Sequence, residues 1–149
     1  MKRIIVLMSA FLLICLMGFT QRITPEKVPV QVKKAFATKF PAATDAKFEL
    51  MNNYYKVVFN DKGVGTSANY SPIGKWLTTE TSISESDLPE EVSASISKDF
   101  ADFKISTVTK VESPDKPLFY TMDLKKDKEG YNAQFSPKGD VLKKTILKK

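Results

Sequence analysis

The chain predicts an α+β fold: two tandem repeats, each of one helix and a four-stranded antiparallel sheet, with the helices on one sheet face. Three observations lead there. Residues 68–79 read A-N-Y-S-P-I-G-K-W-L-T-T, and residues 133–144 repeat the phrase as A-Q-F-S-P-K-G-D-V-L-K-K. Apolar residues recur at helical spacing at Val28, Val32, Ala35, Phe36 and Phe40, and again at Leu88, Val92, Ile96 and Phe100. Between these runs lie short segments in which apolar and polar residues alternate with period two.

The first twenty residues stand apart. Lys2 and Arg3 precede an apolar run from Ile4 to Leu16, followed by Gly18, Thr20 and polar Gln21. This is the layout of a secretory signal peptide, with cleavage expected after Thr20. The run is shorter than the roughly 20 residues that a spanning helix needs. The only cysteine, Cys15, falls inside it behind a bulky Ile14, which disfavours lipid attachment. The mature chain therefore has no Cys, and the sequence has no His. It is expected to be periplasmic or secreted, and not membrane-spanning after cleavage.

The first repeat, 21–83, opens with a short leader, Gln21 to Lys27. A helix follows, with Pro29 in its first turn, where a missing N–H costs nothing, and Pro41 ending it. Ala46 to Met51 places Phe48 and Leu50 on one face. Tyr54 to Phe59 groups Tyr55, Val57 and Phe59. The turn Asn60-Asp61-Lys62-Gly63 and the Ser71-Pro72-Ile73-Gly74 hairpin complete four strands. The second repeat, 84–149, starts at an acidic stretch where Asp87 can cap the helix and Glu90 and Glu91 meet its dipole. Tyr120, Met122 and Leu124 then match Tyr55, Val57 and Phe59. Asp127-Lys128-Glu129-Gly130 forms the turn, and a longer connection falls at Ser113 to Pro117. About 60 residues per repeat is marginal alone, so the two are expected to form one compact domain, and pairing of the two four-stranded units edge to edge into one longer sheet would also protect their edge strands.

The order of these parts resembles a known family. A signal peptide, twice a helix of the form V/L-P-x-x-V-x-x-A/S-F/I-x-x-x-F, a Tyr-led strand and a closing A-x-Y/F-S-P-x-G-x-W/V-L hairpin are similar to the PepSY-like proteins. These are also described as β-lactamase-inhibitor-like and are exported proteins of the Gram-negative envelope. The resemblance covers Val28 to Ile146 and implies helix-plus-four-strand repeats forming a sheet backed by helices. In the inhibitor after which the fold is named, the exposed sheet surface grips the enzyme. This chain lacks the cysteines for that inhibitor's disulfides, and none of its loops matches the inhibitory loops.

The candidate site residues are Trp76 and Tyr54. Leu77 and Leu142 recur at the same place, which makes them the core residues and turns Trp76 to the other sheet face. Tyr54 alternates against Tyr55 in the same sense. Exposed aromatics of this kind anchor partners. A one-residue slip in phase would place Trp76 in the core instead. Asp123, Asp127, Glu129, Asn60 and Asp61 sit near turns without the spacing of a calcium loop. Without His or a mature Cys, the commonest general base, the best nucleophile and the usual zinc ligands are missing. No catalytic residue, metal ligand or cofactor is assigned. The formal charge of +6 reads as a solvated lysine face, not a nucleic-acid surface. The expected function is a non-catalytic exported binding module that engages another envelope or secreted protein through its open sheet face, as an inhibitor or regulator. The alternative is a periplasmic small-ligand or calcium sensor.

Overall fold

A computed structural model describes residues 21–147. The expected signal peptide and Cys15 lie outside the described residues. The strands are β1 (Gln21–Ile23), β2 (Ala43–Leu50), β3 (Tyr55–Asp61), β4 (Val64–Tyr70), β5 (Trp76–Ser82), β6 (Lys104–Glu112), β7 (Phe119–Lys126), β8 (Glu129–Phe135) and β9 (Val141–Ile146). The helices are α1 (Val30–Lys39) and α2 (Glu90–Asp99).

The expected fold class is corrected here. The strands do not form four-stranded sheets, one per helix. Among the described residues they form a single nine-stranded antiparallel sheet in sequence order, with two α-helices. Two pairings overturn the division into four-stranded sheets. Strands β5 and β6 join through Thr79–Glu112, Glu80–Val111, Thr81–Lys110 and Ser82–Thr109. Left apart, each would present a row of unpaired N–H and C=O groups. In addition, Gln21 to Ile23, expected as a leader, pairs as β1 with Leu50, Glu49 and Phe48 of β2.

Both helices begin at a proline. Pro29, expected inside the first turn, is the N-cap residue of α1 and Pro89 that of α2, and each carbonyl accepts the first helical N–H bonds. Asp87 does not cap α2. It closes a 3-10 turn instead, accepting from the Ser84 N–H at 3.2 Å. From α1, Val32 and Phe36 pack with Val28 onto Phe48, Val57, Phe59, Ala68 and Tyr70. From α2, Val92 and Ile96 pack with Leu88 and Phe100 onto Val108, Tyr120, Met122, Leu124, Ala133 and Phe135. Across the seam, Thr81 pairs with Lys110, two residues from Val108, so both groups lie on the same sheet face. Phe36 meets Phe59 edge-on at 4.9 Å between centroids, and Phe100 meets Phe135 at 6.0 Å.

The Ser-Pro-x-Gly loops do more than turn the chain. Gly74 (φ 82°) lies so close to α1 that a Cβ there would stand 2.7 Å from the Gln31 carbonyl oxygen. Gly139 (φ 84°) lies against the Glu91 carbonyl of α2 in the same way. Each loop therefore locks a hairpin end onto the first turn of a helix.

Tyr70 is fully buried, and its hydroxyl has no hydrogen-bond partner among the described residues. Burial disfavours the phenolate and pushes the hydroxyl from 10.0 up to about 12. The unfolded chain gives up this proton first, so the stability held by neutral Tyr70 is complete below pH 10 and is lost as pH rises towards 12. A melting-temperature series from pH 9 to 12 is expected to fall, and to fall less steeply in Tyr70→Phe.

Candidate functional site

With both helices on one face, the other face of the sheet is left uncovered among the described residues. One row crosses it from β2 to β7 through paired residues: Lys47, Val58, Ser67, Glu80, Val111 and Phe119. A second row runs Ser82, Thr109, Thr121, Gln134 and Lys143. Val58 is 38% exposed and Phe119 is half-buried. Polar side chains on this face bond across strands. Ser67 donates to Glu80 Oε2 at 3.4 Å, and Asn69 Nδ2 to Thr78 Oγ1 at 2.7 Å. Asn132 Nδ2 donates to Asp123 Oδ1 at 2.8 Å, and Thr121 to Asn132 Oδ1 at 3.2 Å. These bonds fix the polar groups beside the three apolar side chains of the row, of which Val58 and Phe119 are accessible and Val111 is buried between its neighbours. Such a surface suits recognition by shape and hydrogen bonding better than deep enclosure of a substrate.

Trp76 is not on this face. It pairs with Tyr70 and packs, half-buried, against the α1 core. Its Nε1 donates to Thr79 Oγ1 at 3.0 Å, and Lys39 Nζ stands 3.7 Å from its ring centroid. The cause is a β-bulge. The register shifts between Asn69 and Tyr70, so that Asn69 pairs with Thr78 but Tyr70 with Trp76, leaving Leu77 as the extra residue. The same shift between Gln134 and Phe135 leaves Leu142 out, 56% exposed. The recurring leucines are therefore bulge residues and not the core, and alternation counted from them reverses Trp76. Tyr54 lies in the β2–β3 turn, half-buried, with its carbonyl accepting from the Met51 N–H at 2.9 Å. The structure does not bring Tyr54 and Trp76 together on the open face.

Phe119, the aromatic on the open face, is not among the sequence-predicted site residues, although the sequence carries a signal for it. It precedes Tyr120 as Tyr54 precedes Tyr55, and only Phe119 lies inside a regular strand. Of the acidic turn residues, Asp123 is engaged by Asn132. Asp127, with φ 50°, forms the two-residue turn with Lys128, while Glu129 and Gly130 belong to β8. At the matching turn Asn60 Oδ1 accepts from the Gly63 N–H at 2.7 Å, and Lys62 and Gly63 both take positive φ. Asp61 ends β3 beside that turn.

Comparison with known proteins adds the following. A family model described as "Putative beta-lactamase-inhibitor-like, PepSY-like" matches residues 53–143. No curated protein matches the chain. Several solved structures share the fold. One, described as "putative periplasmic proteins" from Bacteroides eggerthii DSM 20697, has 23% identity and a TM-score of 0.76, covering 80% of this chain and 89% of its own. A DUF2874 family protein from Bacteroides uniformis ATCC 8492 has 18% identity and a TM-score of 0.76, covering 79% and 88%. A BLIP-like protein from Bacteroides fragilis NCTC 9343 has 20% identity and a TM-score of 0.75, covering 80% and 86%.

Proposed function

This chain belongs to the PepSY-like, β-lactamase-inhibitor-like family, and on that footing we propose that it is an exported binding module that engages another protein of the envelope through the open face of its sheet. The observation that carries this reading is the placement of both helices on one side of a nine-stranded sheet. Nine strands at about 4.8 Å span roughly 40 Å, and some 20 Å along the strands gives about 800 Å², the area one partner buries in a stable complex. Phe119 and Val58 serve as the apolar anchors, and Lys47, Lys56, Glu80 and Asp123 as the charged surround. The role is regulatory or inhibitory and needs no catalytic group. The location is the periplasm, in keeping with the exported layout of the N-terminus and with one structural neighbour described as "putative periplasmic proteins".

The test is capture from native envelope extract on immobilised residues 21–149, comparing wild type with Val58→Lys and Thr121→Lys. Both positions are on the open face and outside the core, so the variants should fold. A protein held by wild type and reduced at least about tenfold by either variant is the expected result. Retention that is indifferent to both substitutions would remove the open face from the account.

A further inference from the structure

A second surface lies on the helix side of the sheet. A groove of about 450 Å³ runs between α1 and the start of β5. Ala35, Tyr70 and Trp76 make its apolar floor and wall, and Lys34, Thr38 and Lys39 stand at its rim. None of its lining residues is acidic.

Two features make it more than a crease. The Tyr70 side chain is fully buried there, and its hydroxyl has no partner among the described residues. A buried hydroxyl without a hydrogen bond is costly, and a native fold keeps few of them. The second feature is a comparison within the chain. Around α2 the hairpin loop meets the helix through Gly139 and Glu91 as it does around α1 through Gly74 and Gln31. Yet the α2 side carries Ala94, Asp99, Phe135 and Val141 where the α1 side carries Lys34, Lys39, Tyr70 and Trp76. The packing frame thus holds without the indole, the hydroxyl or either lysine. Those four are what the α1 side adds, and together they supply a flat apolar wall, a neutral donor and two cations.

We infer that this groove binds a small amphiphilic carboxylate, its apolar body against Trp76 and Ala35 and its carboxylate between Lys39, Lys34 and the Tyr70 hydroxyl. Lys39 now rests on the indole face. An arriving carboxylate draws the ammonium off the ring, because a desolvated ion pair with a hydrogen bond outweighs an exposed cation–π contact, and the groove widens to admit it to the hydroxyl, which has no accessible surface in the free protein. The hydroxyl is a neutral donor at physiological pH, as an ordinary tyrosine is, and burial only moves its ionisation further off, from 10.0 to about 12. This site is separate from the open sheet face, and neither depends on the other.

Trp76 is the only tryptophan, so intrinsic fluorescence reads the groove directly. Residues 21–149 would be titrated with decanoate below its micelle concentration, with decylamine as a control of the same body and opposite charge. Saturable change with decanoate and none with decylamine is expected. Lys39→Gln, at an exposed position, should weaken binding about tenfold. Tyr70→Phe should also weaken binding while leaving the melting temperature of the free protein equal or higher, because it deletes an unpartnered group. A residue with a purely structural role would show the opposite. The proposal is overturned if decanoate gives no saturable change up to its micelle limit, if decylamine matches it, or if both variants bind as wild type does.

Discussion

Phe135→Ala is expected to lower the stability of the fold by about 3–5 kcal/mol, the cost of truncating a buried aromatic to alanine. Phe135 has no exposed surface and meets Phe100 edge-on, with Ile96 and Tyr120 in the same cluster. The strand beneath cannot follow the lost ring inwards, because β8 is paired on both sides, with β7 and β9. The cavity therefore stays open. Against a total of about 5–15 kcal/mol for a domain, this removes a large share of the margin. Urea unfolding followed by circular dichroism would measure it as a shift in midpoint at constant slope. A change under 1 kcal/mol would mean that the α2 cluster is not the packed core described.

Gly139→Ala is the second large effect. The new Cβ has to hold a left-handed conformation, at about 1–2 kcal/mol, and also meets the Glu91 carbonyl, which belongs to a helix turn and cannot yield without shifting α2. Overpacking of this kind adds about 1–3 kcal/mol. Gly63→Ala provides the contrast. Its φ is similarly positive, at 89°, but a Cβ there meets nothing within 4 Å. It should show the conformational cost alone. If the two variants lost equal stability, the loop–helix contact would carry no energy.

The residues reveal some parts of this architecture and hide others for identifiable reasons. Helical stripes are long enough to read, and Val32, Phe36, Val92 and Ile96 are the buried helix positions. Tyr55, Val57 and Phe59 keep their period because β3 has no irregularity between them. The joining of β5 to β6 is made by backbone bonds between Thr79, Glu80, Thr81, Ser82 and their partners, and backbone bonds leave no signature in side-chain type. Strand β1 has only three residues, too few for a period to show. Trp76 fails for a sharper reason. Period two holds only while the register does, and the bulge at Leu77 breaks it one residue away from the side chain in question. The exposed Leu142 is the mark of the same device. Recurrence of a leucine in two places signalled a shared bulge, and apolar type alone could not distinguish that from a shared core. Legibility of the candidate site suffered most, since both of its aromatic residues depended on phase, whereas Phe119 sat in regular strand and could have been found.

The measurement that bears most directly on the open-face account is a cysteine footprint. Residues 21–149 contain no cysteine, so in that segment single variants Glu80→Cys and Thr121→Cys on the open face, and Ala37→Cys on the exposed side of α1, can be alkylated with and without the captured envelope partner. The account predicts that the partner slows alkylation at Glu80→Cys and Thr121→Cys and leaves Ala37→Cys unchanged. Protection at Ala37→Cys with none at the two sheet positions would contradict it and move the interface to the helices.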